Sequence, residues 1–475
     1  MSFWTPPSLR SATGGSWLHR PTNDEMPPIA GLGIDSRTLP PERAFLAIRG
    51  ERFDGHDFLT DACARGARLL IVDRADAAAS VAEAYPDTWI LKVADTRAAL
   101  MKLAATYRRT LESTRVIAIT GSNGKTTTTR LIDAVLSDKF RGSASIKSFN
   151  NDIGVPLTIL NARPADQYLI CEVGTNSPGE IEPLARVIEP DIGVITTIGR
   201  AHIEHFGTKA AIAREKAMLL SYIRPGGTAI VSADASELTE FVRPIPNVVT
   251  FGRHPDADLR LTSFEHDTTD DAICSHFTVN DRASFPLALY GEHNAYNALA
   301  AVAAGRRFGL EDHDIARGLE SVRSADMRLQ RESIGGVDVF NDAYNASPES
   351  MIAAIRTFAS LTQSCARRVI ILGDMLELGD AAPAAHQEVA DAILDADTID
   401  EAITVGAAAL YTADRLSQHW PQQRISMHSS LDDAQAARIA SRIKPGDAVL
   451  IKGSRAMQLE RVVDALRRVE GAGAH

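Results

Sequence analysis

The sequence predicts an α/β protein of three units: an N-terminal α/β unit over residues 1–110, a central unit with a parallel sheet over 111–324, and a C-terminal unit over 325–475. Three observations lead there. At 475 residues the chain is too long for one core. Short apolar runs alternate with helix-periodic stretches along its whole length, the pattern of a parallel sheet with crossover helices. Near its first quarter, an apolar run over 116–119 passes through Thr120-Gly121-Ser122-Asn123-Gly124-Lys125-Thr126-Thr127 into Leu131, Ile132, Val135 and Leu136, which share one helix face.

In the first unit, 45–48, 69–72 and 89–93 read as strands, with a helix over 58–65 between the first two. Two polar loops interrupt them, Gly33-Ile34-Asp35-Ser36-Arg37-Thr38 and the stretch 49–56. Ser36 and Arg37 offer a hydroxyl and a fork of donors suited to a base, ribose or phosphate. A local Asp35–Arg37 pair on a surface turn accounts for the same residues equally simply.

The strand, glycine turn and helix at 116–136 open the second unit. Glycines let backbone N–H groups close around phosphate oxygens at a helix N-terminus, where the dipole favours anions. Gly121, Ser122, Asn123, Gly124 and Thr127 would form that cradle, Lys125 would reach the β- and γ-phosphates, and Thr126 would hold Mg²⁺. Ile119 stands where the longer GxxxxGK[ST] motif has its first glycine, so this is a shorter GxxGKT variant. Strands follow at 168–173 and 191–198, with a helix between them opened at 177–180. Glu172 lies at the C-terminal end of the first strand and His202 beyond the second, the ends that face the ligand crevice in open α/β sheets. Either could ligate Mg²⁺, which favours oxygen ligands over nitrogen. Further on, Asn294 and Asn297 sit three apart at the start of an Ala-rich helix, spaced to meet an adenine edge together or to let Asn294 cap the helix.

In the third unit, strands at 368–372 and 448–452 run into Gly373-Asp374-Met375 and Gly453-Ser454-Arg455, which suggests a second ligand-facing crevice. Before them, Asn341-Asp342-Ala343-Tyr344-Asn345-Ala346 precedes a helix capped by Ser347 ahead of Pro348.

Composition narrows the classes. The chain is 45% hydrophobic and 23% charged, and no apolar run approaches the ~20 residues of a membrane span. Residues 1–10 lack the apolar core of a secretory signal, and Cys63, Cys171, Cys274 and Cys365 lie too far apart for a zinc site or disulfide framework, so reduced core thiols in a cytoplasmic protein are expected. A net charge of −11 opposes nucleic-acid binding.

Together these segments resemble the Mur ligase family of peptidoglycan synthesis, most closely its MurF branch, from Ala12 to about Val463. The short phosphate loop is similar to that of all Mur ligases and of folylpolyglutamate synthases. The segments 35–37, 150–156, 342–346, 372–379 and 452–455 carry the likeness to the branch. The Asp-Asn-Pro-Arg pattern of MurE ligases is absent, and Ser347 stands where many branch members have asparagine. The resemblance implies a C-terminal Rossmann-like domain and an ATP- and Mg²⁺-dependent ligase. It would add D-alanyl-D-alanine to a UDP-linked muramyl tripeptide through an acyl phosphate, as a cytoplasmic monomer. Ser36, Arg37 and the loop 53–56 would hold UDP, and Asn150 and Asn151 the peptide. Thr126, Glu172 and His202 would ligate Mg²⁺, with Asn294 and Asn297 near adenine. Arg328 and Asp342 would approach the nucleotide on domain closure, with Tyr344 and Asn345 close by. Lys216 falls where family members carry a carbamylated, metal-bridging lysine; unmodified, it would be an exposed lysine on a helix over 211–220. Lys125, Lys216, His202 and Arg328 are thus the implied catalytic groups. Another Mur ligase, a folylpolyglutamate synthase and a nucleotide-driven regulatory NTPase are the alternatives, the second disfavoured by the extra N-terminal unit that carries residues 35–37.

Overall fold

A computed structural model describes residues 3–21, 29–50, 52–146, 149–267 and 275–473. Cys274, Glu51 of the second polar loop and the first two residues of the N-terminal stretch lie outside them. Three sheets follow one another along the chain. The first holds β1 (Ser16–His19), β2 (Leu32–Gly33), β3 (Ala44–Leu46), β4 (Leu69–Val72) and β5 (Trp89–Lys92), in the order β1-β5-β4-β3-β2, parallel except for β1.

The second sheet holds β6 (Arg115–Thr120), β7 (Gly142–Ala144), β8 (Tyr168–Glu172), β9 (Ile192–Ile195), β10 (Thr228–Ser232), β11 (Val248–Gly252), β12 (Leu259–His266), β13 (Ser275–Val279) and β14 (Ala283–Leu287). Its order is β14-β13-β12-β11-β10-β9-β6-β8-β7. The expected parallel sheet runs from β7 across to β12; β12, β13 and β14 extend it antiparallel. Alternating burial along β12 and β13, and the three-residue link from β13 to β14, mark these last strands as antiparallel with one face in solvent. The strand expected over 191–198 stops at Ile195, because Thr196 and Thr197 turn to hold the phosphate loop.

The third sheet holds β15 (Gln330–Ile334), β16 (Val337–Asp342), β17 (Arg367–Gly373), β18 (Glu401–Val405), β19 (Ile425–His428) and β20 (Asp447–Lys452), in the order β15-β16-β20-β17-β18-β19. Only β15 is antiparallel. Gly335 and Gly336, at φ 55° and 78°, make the two-residue turn into β16, which requires two successive left-handed residues.

The first core crosses the expected boundary at residue 110. Leu100, Leu103 and Tyr107, on the helix Thr96–Arg108, pack in one cluster with Leu32 and Leu91 on one side and Val155, Ile181 and Leu184 on the other. At the end of that helix Arg108, 2% exposed, donates to the carbonyls of Ile188 (2.7 Å) and Glu189 (2.9 Å) and pairs with Asp191 (3.2 Å). It thereby satisfies the open end of the helix Ile181–Ile188. The first two units thus share apolar burial worth about 1.5–3 kcal/mol per large side chain.

A second core sets the nucleotide end. The helix Lys125–Ser137 packs against Glu292–Arg307, whose Ala295, Ala298 and Ala301 are fully buried. A Cβ on Gly318 would stand 2.5 Å from Val135 Cα, so the small residue there permits the approach of the neighbouring helix Asp312–Ser321.

Candidate active site

The phosphate loop leaves the C-terminal end of β6, between β9 and β8, at the point where the strand order reverses. This is where open α/β sheets bind ligands. Its shape is fixed from within the central unit. Ser122 N–H donates to the Thr197 carbonyl (2.8 Å) and Asn123 N–H to Thr197 Oγ1 (3.1 Å), while Thr196 Oγ1 donates to the Asn123 carbonyl (2.5 Å). Gly124, at φ 83°, precedes the helix, and a Cβ there would meet Asn297 Oδ1 at 2.2 Å. Only glycine takes that conformation and that proximity without strain. The Lys125 ammonium donates to the Gly121 carbonyl (2.9 Å), and burial lowers its pKa, with Glu172 opposing the shift and Arg328 adding to it.

Around the loop, Thr126 Oγ1 donates to Glu172 Oε2 (2.8 Å), and Asn150 Nδ2 donates to Glu172 Oε1 (2.8 Å). Asn151 Oδ1 accepts from Gly154 N–H (2.9 Å) at the start of the helix Gly154–Leu160. Asn294 does not cap its helix, whose N-cap is Gly291. Its amide donates to the Tyr290 carbonyl (2.8 Å), and Asn297 Nδ2 donates to Asn294 Oδ1 (3.1 Å), so the two amides stand side by side.

The C-terminal unit completes the site. Arg328 Nη2 donates to Thr126 Oγ1 (3.1 Å), its guanidinium lies 4.3 Å above the Tyr344 ring, and Ser347 Oγ reaches Asn123 Oδ1 (3.0 Å). Together these groups line a cavity of about 760 Å³ that takes in 122–127, Asn150, Asn151, Glu172, His202, Asn294, Asn297, Arg328, Asp342, Tyr344 and Asn345. A second cavity of about 440 Å³ shares Asn176, His202, Tyr344, Asn345 and Ala346 with it and extends to Leu376, Glu377, Ser454 and Arg455. The crevice expected at the Gly-Ser-Arg strand end therefore exists, and it adjoins the nucleotide cavity.

His202, in a left-handed conformation, bonds through Nδ1 to Glu377 of the C-terminal unit. Burial lowers its pKa, Glu377 opposes this, and the charges of Lys125 and Lys216 add to it. Lys216 corrects an expectation: unmodified, it is 2% exposed, on a helix that ends at Ala217. Burial and the neighbouring Lys125 charge hold its pKa well below the usual lysine range. Among the described residues no three His, Cys, Asp or Glu side chains gather to hold a metal unaided. Thr126 and Glu172, already oxygen to oxygen, fit Mg²⁺ that takes its remaining ligands from phosphate and water.

Ser36 and Arg37 line neither cavity. Ser36 is buried; Arg37 is 85% exposed, and its fork is taken up by Asp35, Nε at 2.9 Å and Nη2 at 2.8 Å. In the second polar loop, the buried His56 ring contacts Asp54 Oδ1 (2.6 Å) and accepts from Asp73 N–H (3.2 Å).

Several groups of the site carried no sequence assignment. Glu377 and Lys452 lie within the segments 372–379 and 452–455 without an assigned role, Tyr296 lies between the two helix asparagines and Glu349 follows Pro348, and their strand-end or helix-start placement is the available signal. Arg200 had none. Just after Gly199, it reaches across to the C-terminal unit, with Nη1 and Nη2 on the Glu388 carboxylate (2.8 and 2.6 Å) and Nε on Glu349 (3.0 Å).

Known proteins share this architecture. Family profiles described as the catalytic domain of the Mur ligase family, the Mur ligase middle domain and the Mur ligase glutamate ligase domain match residues 28–108, 119–305 and 327–455. A *Bacillus subtilis* protein named UDP-N-acetylmuramoyl-tripeptide–D-alanyl-D-alanine ligase is 36% identical over 440 residues, 92% of this chain and 93% of the relative. An *Escherichia coli* protein of the same name is 33% identical over 92% of this chain and 94% of its own. A crystal structure of MurF from *Acinetobacter baumannii* superposes with a TM-score of 0.83 at 30% identity, over 98% of this chain and 99% of that one. MurF from *Thermotoga maritima* in complex with ADP gives a TM-score of 0.76 at 26% identity, over 93% and 98%. With three family profiles along its length, one over most of each sheet, and 92% of its residues aligned to relatives above 30% identity, this chain belongs to the Mur ligase family.

Proposed function

We propose that the chain is an ATP-dependent amide ligase that joins the amine of D-alanyl-D-alanine to the terminal carboxylate of a UDP-N-acetylmuramoyl-tripeptide. The observation that carries this reading is the pair of adjoining cavities at the junction of the central and C-terminal units, one floored by the phosphate loop and the other open to an incoming amine. The names of the full-length relatives support the substrates. Residues 1–110 would hold the UDP moiety through Ser36 and Arg37, 111–324 the nucleotide, and 325–475 would close over both. The setting is the cytoplasm, where ATP and UDP-linked precursors occur; no helix of the described residues is long and apolar enough to cross a membrane.

A carboxylate is a poor acyl donor, and ATP solves that problem. The tripeptide carboxylate attacks the γ-phosphate, giving an acyl phosphate and ADP, and the dipeptide amine then displaces phosphate. Lys125 leaves the Gly121 carbonyl to meet the β- and γ-phosphate oxygens, and the loop N–H groups hold the remainder. Asn294 and Asn297 meet the base; Asn150 and Asn151 face the peptide. Arg328, delivered by the C-terminal unit, adds a second cation beside the transferred phosphoryl group. Mg²⁺ held by Thr126 and Glu172, with His202 and a carbamylated Lys216 beyond them, would supply charge neutralisation; the lowered Lys216 pKa favours the uncharged amine, the form that adds CO₂. Closure keeps the acyl phosphate from water.

The test is phosphate release with UDP-N-acetylmuramoyl-tripeptides and varied amines. Release that requires both the tripeptide and D-alanyl-D-alanine is expected. Efficient use of a single amino acid with a shorter UDP-peptide, and none of the dipeptide, would overturn the reading in favour of another member of the family. Turnover with neither substrate would point to a regulatory NTPase.

A further inference from the structure

Lys452 ends β20 directly opposite Asp342 at the end of β16, the two strands running in parallel register. It is 3% exposed and lines the nucleotide cavity. Its ammonium lies 2.7 Å from Asp342 Oδ2 and donates to the Asn345 carbonyl at 2.9 Å. The other Asp342 oxygen, Oδ1, accepts the Leu329 N–H at 3.0 Å. One residue earlier, Arg328 reaches Thr126 on the phosphate loop. Three chain segments that face the nucleotide, at 328–329, at 342 and at 344–345, are thus tied to one buried cation.

We infer that Lys452 is a positioning residue of the nucleotide site, fixing the Asp342 carboxylate and the Arg328 turn so that both meet the nucleotide without rearranging. Two of its three N–H donors go to protein acceptors, so it acts mainly through Asp342 and Asn345. A buried ammonium costs several kcal/mol unless paired, and this one has a carboxylate within 3 Å, unlike Lys125 and Lys216. Without it the Asp342 carboxylate, 15% exposed, would face the cavity with no cation on its Oδ2 side. It would turn outward and let go of Leu329, and Arg328 would lose its fixed approach. The inference rests on the proposed nucleotide site.

The test uses the full chain carrying Lys452→Met, which keeps the length and removes the charge. MgADP affinity by titration calorimetry should fall about tenfold or more, the scale seen when a group orienting a ligating side chain is removed. KM for ATP should rise in step, while KM for the UDP-peptide stays put. A merely structural role would lower the melting temperature and kcat without that split. The double variant Lys452→Met/Asp342→Asn should bind MgADP no worse than the weaker single variant, because the two residues act as one unit. A folded Lys452→Met protein with wild-type MgADP affinity would overturn the inference, and so would losses that multiply in the double variant. Should Lys452→Met fail to fold, Asp342→Asn with wild-type MgADP affinity overturns it equally, since Lys452 would have nothing to position. Wild-type protein that does not bind MgADP would instead refute the nucleotide site itself.

Discussion

The two loops that the proposed function assigns to ligands are built in opposite ways. The phosphate loop is held before any ligand arrives: Thr196, Thr197 and the helix bearing Asn297 fix its backbone, and Lys125 rests on the Gly121 carbonyl. The loop at Asp35-Ser36-Arg37 has its cation in solvent, neutralised by its own neighbour. That bidentate hydrogen bond draws the Asp35 pKa down. Preorganisation places transition-state stabilisation on the first loop, where charge moves. The second has only to recognise a ligand that does not react, so a donor that exchanges one carboxylate for a phosphate or ribose suffices.

The sharpest way to break this contrast is Lys125→Ala. Ligation should fall by about two orders of magnitude or more, ~3 kcal/mol in the transition state. The melting temperature should hold or rise, because a buried ammonium is removed. Wild-type activity in that variant would end the assignment. Next in size, Gly124→Ala forces an L-residue to φ 83° against Asn297. It should cost about 1–2 kcal/mol of stability by denaturant titration, and nucleotide binding with it. Arg37→Ala should raise KM for the UDP-linked substrate about tenfold, the worth of a charge-assisted hydrogen bond. It should leave KM for ATP and the folding stability nearly unchanged. Equal effects on both KM values would erase the distinction between the loops.

The smallest effect is a pH dependence in the N-terminal unit. Burial resists ionisation of Asp54, but the His56 N–H and ring, with Arg74, outweigh it and bring its pKa to about 2 from an ordinary 3.8. A depressed carboxylate stabilises the fold above its unfolded pKa, and that contribution drains away as pH falls from about 4 through 2. The stability gap between wild type and Asp54→Asn should therefore be full at pH 6 and close progressively below pH 4.

The contrast also marks what was legible in the sequence. The phosphate loop could be read because its constraints are local: glycines at fixed spacing, a strand before and a helix after. Thr126, Glu172, Asn294 and Asn297 followed from strand ends and helix spacing, and the cavity gathers all four. Arg200, Glu388 and the pairing of Lys452 with Asp342 could not be read this way, since each joins residues more than a hundred positions apart. The burial of Lys216 was hidden for a related reason. Its helix looks solvated in sequence, and only the elements packed against that helix take the ammonium out of water. Nor does spacing reveal that the first two units share a core, because no local pattern tells that the helix Thr96–Arg108 packs on both.

The span of Arg200 to Glu349 and Glu388 has a kinetic consequence. The guanidinium is 29% exposed and the two carboxylates are 39% and 44% exposed, so dissolved ions reach this clasp easily. At physiological ionic strength fields between exposed charges fade over about 8 Å, and over less as salt rises. Under the proposed function, opening of the C-terminal unit to release ADP would have to part this clasp. Ionic strength would then act as a throttle on nucleotide exchange: added salt should shorten the residence of ADP and dilute buffer prolong it, while the phosphate loop beneath keeps its shape in both.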